Sequence, residues 1–206
     1  FDDQHYMLIS DENNEGIASG TPWQNGPIPL EFAITGLGPV HIRIARFDYF
    51  KEMLEKVMVM REVAAEETLH LFEVGEGGNG ASVIIEHNTE LAPGRQGFGT
   101  VHHAAFRVED TAVLHEWIER LESFGFGTSG YVDRFFFESL YARVAPGILF
   151  EWATDGPGFM GDEPYETVGE ILSLPPFLEP KRDYIESVVR PIDTVRSTKT
   201  IEKEYE

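Results

Sequence analysis

Residues 100–154 read TVHHAAFRVEDTAVLHEWIERLESFGFGTSGYVDRFFFESLYARVAPGILFEWAT, and the alternation inside this stretch decides the fold. TVHHAAFRV alternates as a strand does. Asp110 then stands where a helix N-cap belongs, ahead of Leu114, Trp117, Ile118 and Leu121 on one stripe at helical spacing. A short stretch around Tyr131, then ESLYARVA and GILFEWA, supply three more strands. The order is βαβββ.

Upstream, the same order recurs as a weak internal repeat. VHIRIARF is a strand, and Phe50, Leu54 and Val57 mark one face of a short helix. VMVMREV, TLHLFEVG and ASVIIEH read as three further strands, the last two joined by the turn EGGNG. The sequence thus predicts an α+β fold of paired βαβββ modules, at 37–88 and 99–155. Their strands form a curved, cup-like mixed sheet with helices on its outer face. Residues 11–36, rich in Gly, Pro and Asn without a sustained period, read as a linker. Residues 1–10, FDDQHYMLIS, read as an acidic turn entering an apolar strand, the tail of a preceding βαβββ module. Residues 156–206 read as an acidic C-terminal extension with one amphipathic helix near 180–189.

Composition narrows the function. With 206 residues, 42% of them hydrophobic, the chain can bury one sizeable core or two small ones. Sixteen basic against 36 acidic residues give a formal charge of −20, which repels phosphate backbones and anionic headgroups. Nucleic acid and membrane are therefore excluded as expected partners. No apolar run approaches a bilayer span and no signal peptide is visible, so a cytoplasmic protein is expected. There is no cysteine, so any metal must sit on His, Asp or Glu.

Strand alternation gathers candidates for such a site. In GILFEWA, the bulky Ile148, Phe150 and Trp152 suit the helix side, which turns Glu151 to the opposite face. In TVHHAAFRV, Phe106 and Val108 want the helix side, which leaves His103 facing the cup. ESLYARVA places Ser139, Tyr141 and Arg143 there too. His103, Glu151 and Tyr141 therefore converge. A His and a carboxylate suit Fe(II), Mn(II) or Zn(II), although an open catalytic site takes three protein ligands. Glu151 could instead pair with Arg143 or Arg134, and structural or surface roles are the default for the remaining histidines.

The repeat, with GTVHHAAFRVED, VDRFFFESLYARVAPGILFEWATDGPGFMGDE and LSLPPFLEPKR, resembles the vicinal oxygen chelate (glyoxalase/extradiol dioxygenase) superfamily. It is most similar to the C-terminal part of the hydroquinone-type ring-cleaving dioxygenases. The resemblance implies that His103 and Glu151 are ferrous-iron ligands, with Mn(II) as the other metal. It implies that His102, Arg134 and Tyr141 orient substrate or move protons. In that family the third ligand is a histidine of a first module that this sequence does not contain. The position of the first repeat opposite His103 is about Pro39, which binds no metal, and His41 lies two residues deeper along the strand. The expected partners are a small aromatic substrate, O2, and the N-terminal half of the same protein or a second copy. The pattern departs from the family at Tyr141-Ala142-Arg143-Val144, where a negative charge is missing from the strand end.

Two other functions remain open at this stage. A Zn or Ni glyoxalase-like lyase or isomerase would need a further carboxylate, for which Glu86 is the candidate. A metal-free protein of the same fold could hold an aromatic ligand in the cup.

Overall fold

The structure is a computed structural model and describes residues 4–92 and 94–199, so the ends of the N-terminal tail and C-terminal extension, at 1–3 and 200–206, lie outside the described residues. The first module contains β1 (Val40–Ile44), α1 (Phe47–Glu52), β2 (Arg61–Glu66), β3 (Leu69–Glu73) and β4 (Ser82–His87). The second contains β5 (Ala104–Arg107), α2 (Thr111–Ser123), β6 (Val132–Asp133), β7 (Phe137–Ala145) and β8 (Ile148–Pro157). A short helix, α3 (Arg182–Val188), follows in the extension.

Each module closes its own four-stranded mixed sheet, in the orders β1-β4-β3-β2 and β5-β8-β7-β6. First and last strands run parallel, while the remaining pairs are antiparallel. The crossover that a parallel pair requires is supplied by α1 in one module and α2 in the other.

The helix faces form one core. Phe50, Leu54, Leu114, Leu121, Phe150 and Trp152 are all buried. Phe50 of α1 meets Phe150 of β8 edge to face, with ring centroids 6.1 Å apart, and Trp117 of α2 lies 5.5 Å from Trp152. Contacts therefore cross between modules, so the two sheets share their apolar support. Burying each of these side chains contributes roughly 1.5–3 kcal/mol, and Trp152→Ala would open a cavity costing about 3–5 kcal/mol. Arg120 adds a polar tie, donating from α2 to the carbonyls of Val57 and Lys56, 2.7 Å each.

α2 starts where the sequence indicates, with Asp110 Oδ1 accepting from the Val113 amide at 2.9 Å. Three expectations need correction. The strand expected over Val57–Val63 begins only at Arg61, because α1 runs on through a π-helical turn, Met53–Val57, that buries Met53, Leu54 and Val57. The strand expected from Thr100 begins only at Ala104, so the two histidines precede it. Residues 4–10 form no strand, joining neither sheet, and expose Tyr6, Met7 and Leu8.

Candidate metal centre

On the face opposite the helices, β8 turns Glu151 inward, and the antiparallel register sets Tyr141 of β7 directly across from it. The parallel register sets Ala105 of β5 on its other side. His103 lies two residues before Ala105, on the same side of the chain, and its Nε2 is 2.7 Å from Glu151 Oε2. Its ring stands edge-on to Tyr141 at 5.6 Å. Arg134 lies over the other part of this group, with its guanidinium carbon 5.1 Å from the Tyr141 ring centroid. His102 joins through its neighbour, the two Nδ1 atoms being 2.8 Å apart. His102, His103, Arg134, Tyr141 and Glu151 are thus brought together.

Glu151 is the unusual member. It is buried, and its second oxygen, Oε1, has no hydrogen-bond partner among the described residues. Leaving a buried carboxylate oxygen unmatched costs about 1–3 kcal/mol or more. Neither arginine that could have paired with Glu151 does so. Arg134 stacks on Tyr141, and Arg143 donates to Gln96 Oε1 at 3.1 Å. An anionic oxygen, a neighbouring imidazole nitrogen and the methyl-sized side chain of Ala105 leave a place for a cation. Fe(II), Mn(II) and Zn(II) all accept such N and O donors. Among the described residues no group of three or more His, Cys, Asp or Glu forms a potential metal cluster.

The imidazole pair fixes proton positions. Between two Nδ1 atoms in contact, one must carry the hydrogen and the other accept it. In the tautomer that keeps the His103 hydrogen at Nε2, toward Glu151, the ring accepts at Nδ1 from His102. A metal at Nε2 requires the other tautomer, in which His103 Nδ1 donates to His102. His102 is therefore placed to orient the His103 ring while itself reaching solvent.

The loop before β7 presents Arg134. Asp133 Oδ1 accepts from the Phe135 amide at 2.7 Å, the Arg134 amide donates to the Phe137 carbonyl at 2.9 Å, and Phe135 takes a left-handed φ of 70°. A non-glycine residue in that region is held by its surroundings. Sequence alternation could not have found this turn or Gln96, because both lie outside strands; Asp133 preceding Arg134 is the only local signal.

The first module contains a second contact of similar design. His41 Nε2 lies 3.2 Å from Glu86 Oε2, and His41 is two residues ahead of Arg43, the residue registered to Glu86. There Arg43 Nε donates to Glu86 Oε1 at 3.1 Å, so both oxygens are used. By the parallel register this pair corresponds to His103 and Glu151: His41 stands two residues ahead of the partner of Glu86, as His103 stands two ahead of Ala105, the partner of Glu151, whereas sequence spacing alone set Pro39 opposite His103.

This architecture defines the class: the chain belongs to the vicinal oxygen chelate superfamily, built from βαβββ modules with a candidate site on the face away from the helices. Within it, the chain is 39% identical over 194 residues to a Bacillus subtilis protein named "Putative ring-cleaving dioxygenase MhqA", covering 92% of this chain and 61% of that one. It is 28% identical to the chlorohydroquinone/hydroquinone 1,2-dioxygenase of Sphingobium indicum, covering 79% and 51%. A solved structure from B. subtilis, named as a dioxygenase of the same provisional kind, superposes with a TM-score of 0.78 at 33% identity, covering 86% of this chain and 57% of that one. A glyoxylase/bleomycin resistance protein/dioxygenase domain from Frankia, with a TM-score of 0.52 at 17% identity, shares the fold over 59% of this chain and 98% of its own. No protein-family profile matches the chain. The chain spans about three fifths of the length of two curated relatives it matches.

Proposed function

We propose that this chain is the metal-holding part of a non-haem Fe(II)-dependent dioxygenase that opens the ring of a hydroquinone or catechol with O2, Mn(II) being the alternative metal. The observation that carries this reading is the buried, unmatched Glu151 Oε1 beside His103 and Ala105. His103 and Glu151 would hold the metal, and the third ligand would come from a part of the longer protein that its relatives' length implies. When bound, the metal brings an aromatic hydroxyl and O2 to one centre and lowers the pKa of that hydroxyl.

The remaining residues act on the ring and its protons. Arg134, held over Tyr141, faces the site with a permanent positive charge that stabilises oxyanion character on the substrate. The Tyr141 hydroxyl donates or accepts a proton at a ring oxygen, and His102 relays protons between the site and solvent. Phe136 and Phe137 add apolar surface around Phe159, suited to an aromatic ring. The Sphingobium relative is named for the 1,2 bond of hydroquinone, which in a 1,4-diol adjoins a single hydroxylated carbon. Cleavage beside one hydroxyl is the reaction proposed here. The acidic surface suits an enzyme acting on a small molecule in place of a nucleic acid or an anionic membrane.

A glyoxalase-like lyase is disfavoured by one contact. Its additional carboxylate would be Glu86, which is already engaged by His41 and Arg43. In the full-length protein, Glu151→Ala should abolish stoichiometric iron binding and hydroquinone-dependent O2 uptake. Retention of one iron per subunit together with full O2 uptake would refute the assignment. Zinc or nickel with thiol-dependent turnover of an α-keto aldehyde would favour the lyase.

A further inference from the structure

The segment between the modules returns to β5 over the turn that joins β7 to β8, and two contacts fasten it there. At the first, backbone meets backbone: a Cβ on Gly147 would lie 2.5 Å from the Gly94 carbonyl oxygen, and Gly147 has a φ of 78°. Only glycine accommodates both the closeness and the left-handed backbone. At the second, Gln96 uses both ends of its amide. Its Oε1 accepts from Arg143 of β7 at 3.1 Å, and its Nε2 donates to the main-chain carbonyl of His102. The stretch between them is closed by a tight turn, in which the Thr100 hydroxyl donates to the Gly97 carbonyl at 2.7 Å and accepts from the Gly97 amide at 3.0 Å.

The carbonyl of His102 belongs to the peptide unit that joins His102 to His103. Because that unit is planar, fixing its oxygen fixes the direction in which the chain enters His103. The histidines precede β5, so no sheet hydrogen bond performs this task for them. We infer that Gln96, anchored by Arg143, is a positioning residue that sets the His102–His103 pair for metal binding. This rests on the reading of His103 and Glu151 as metal ligands.

It also gives Arg143 a role other than pairing with Glu151. The guanidinium is planar and permanently charged, so it orients the Gln96 amide by its oxygen and leaves the NH2 end aimed at His102. Gln96→Glu separates the two halves: it retains an acceptor for Arg143 and loses the donor to His102. Arg143→Lys retains a cationic donor for Gln96.

The test uses full-length protein with 15N-labelled histidine, comparing wild type, Gln96→Ala, Gln96→Glu, Arg143→Ala and Arg143→Lys. Mn(II) affinity is measured by equilibrium dialysis, and imidazole nitrogen shifts are recorded after metal removal. Loss of an outer contact to a ligand histidine weakens metal binding by about 10–100-fold. Gln96→Ala and Gln96→Glu should fall within that range, Arg143→Ala should be weakened less, and Arg143→Lys should approach wild type. The metal-free proteins should show altered His102 and His103 nitrogen shifts only in the weakened variants. Wild-type affinity and unchanged shifts in both Gln96 variants would overturn the inference. So would weakening by Arg143→Ala without weakening by Gln96→Ala. If wild type itself binds no Mn(II), the metal assignment fails, and the imidazole shifts alone decide whether Gln96 positions the pair.

Discussion

Each module places a histidine against a glutamate on the sheet face away from the helices, and the two pairs differ in one neighbour. At Glu86 the registered residue on the parallel strand is Arg43; at Glu151 it is Ala105. Arg43 occupies the second oxygen of Glu86, whereas the second oxygen of Glu151 has no partner. Burial differs in the same sense, with side-chain exposure of 22% for Glu86 and 4% for Glu151. A His–Glu contact is therefore not by itself a metal site. What distinguishes Glu151 is a desolvated negative charge left unmatched, a condition that folding tolerates only at a cost. In the first module an arginine meets that demand permanently. In the second, Ala105 leaves it unmet, which is the opening the proposed metal would use.

The sharpest way to break this comparison is to copy the first module into the second. Ala105 is exposed, so an arginine introduced there can extend toward Glu151 as Arg43 does toward Glu86. A charge-assisted guanidinium–carboxylate pair would then compete for the oxygen that the metal needs. Ala105→Arg should weaken Mn(II) or Fe(II) binding by about 100-fold, which corresponds to roughly 3 kcal/mol, with no loss of thermal stability in the metal-free protein. Dialysis and a melting curve measure both. Unchanged metal affinity would show that the open neighbour is not what makes Glu151 different.

Much of this site is legible in the sequence, and the legible part has a common physical basis. Period-two alternation puts Glu151 and Tyr141 on one face because both lie within long, regular strands, and the bulky Phe150 and Trp152 leave no doubt about which face is buried against helices. Asp110 is readable as a cap because its oxygen meets an amide only three residues away. The illegible part depends on contacts distant in sequence or on backbone outside strands. His102 meets His103 in backbone ahead of β5, where strand alternation does not apply. Arg143 looks like a partner for Glu151 until Gln96, from the loop between modules, is seen to take it. The importance of Ala105 and Arg43 emerges only from the parallel register, which no local pattern specifies.

A second test removes each carboxylate in the metal-free state. Glu151→Leu takes away a buried anion with an unmatched oxygen and leaves His103, which is partly exposed, able to bond with water. Removing the orphaned oxygen recovers part of the about 1–3 kcal/mol that it costs, and a gain near the lower end is expected, read as a raised midpoint in denaturant with chelator present. Glu86→Leu has no such orphan to relieve and strands two donors that can hydrate, so its midpoint should stay level or fall. Equal responses from the two variants would mean that the unmatched oxygen carries no strain.

The smallest effect is expected from Arg43→Ala. It frees Glu86 Oε1, and the residual His41–Glu86 contact then resembles the pair in the second module in everything but burial. Arg43 is more than half exposed, and exposed ion pairs contribute about 0–1 kcal/mol, so the melting midpoint should hardly move. The freed oxygen belongs to a side chain that solvent already reaches, so water satisfies it without a metal. Arg43→Ala should consequently gain no Mn(II) equivalent beyond the wild-type stoichiometry. A second tightly bound Mn(II) would instead make the neighbouring arginine, and not the burial of the carboxylate, the sole difference between a closed pair and an open one.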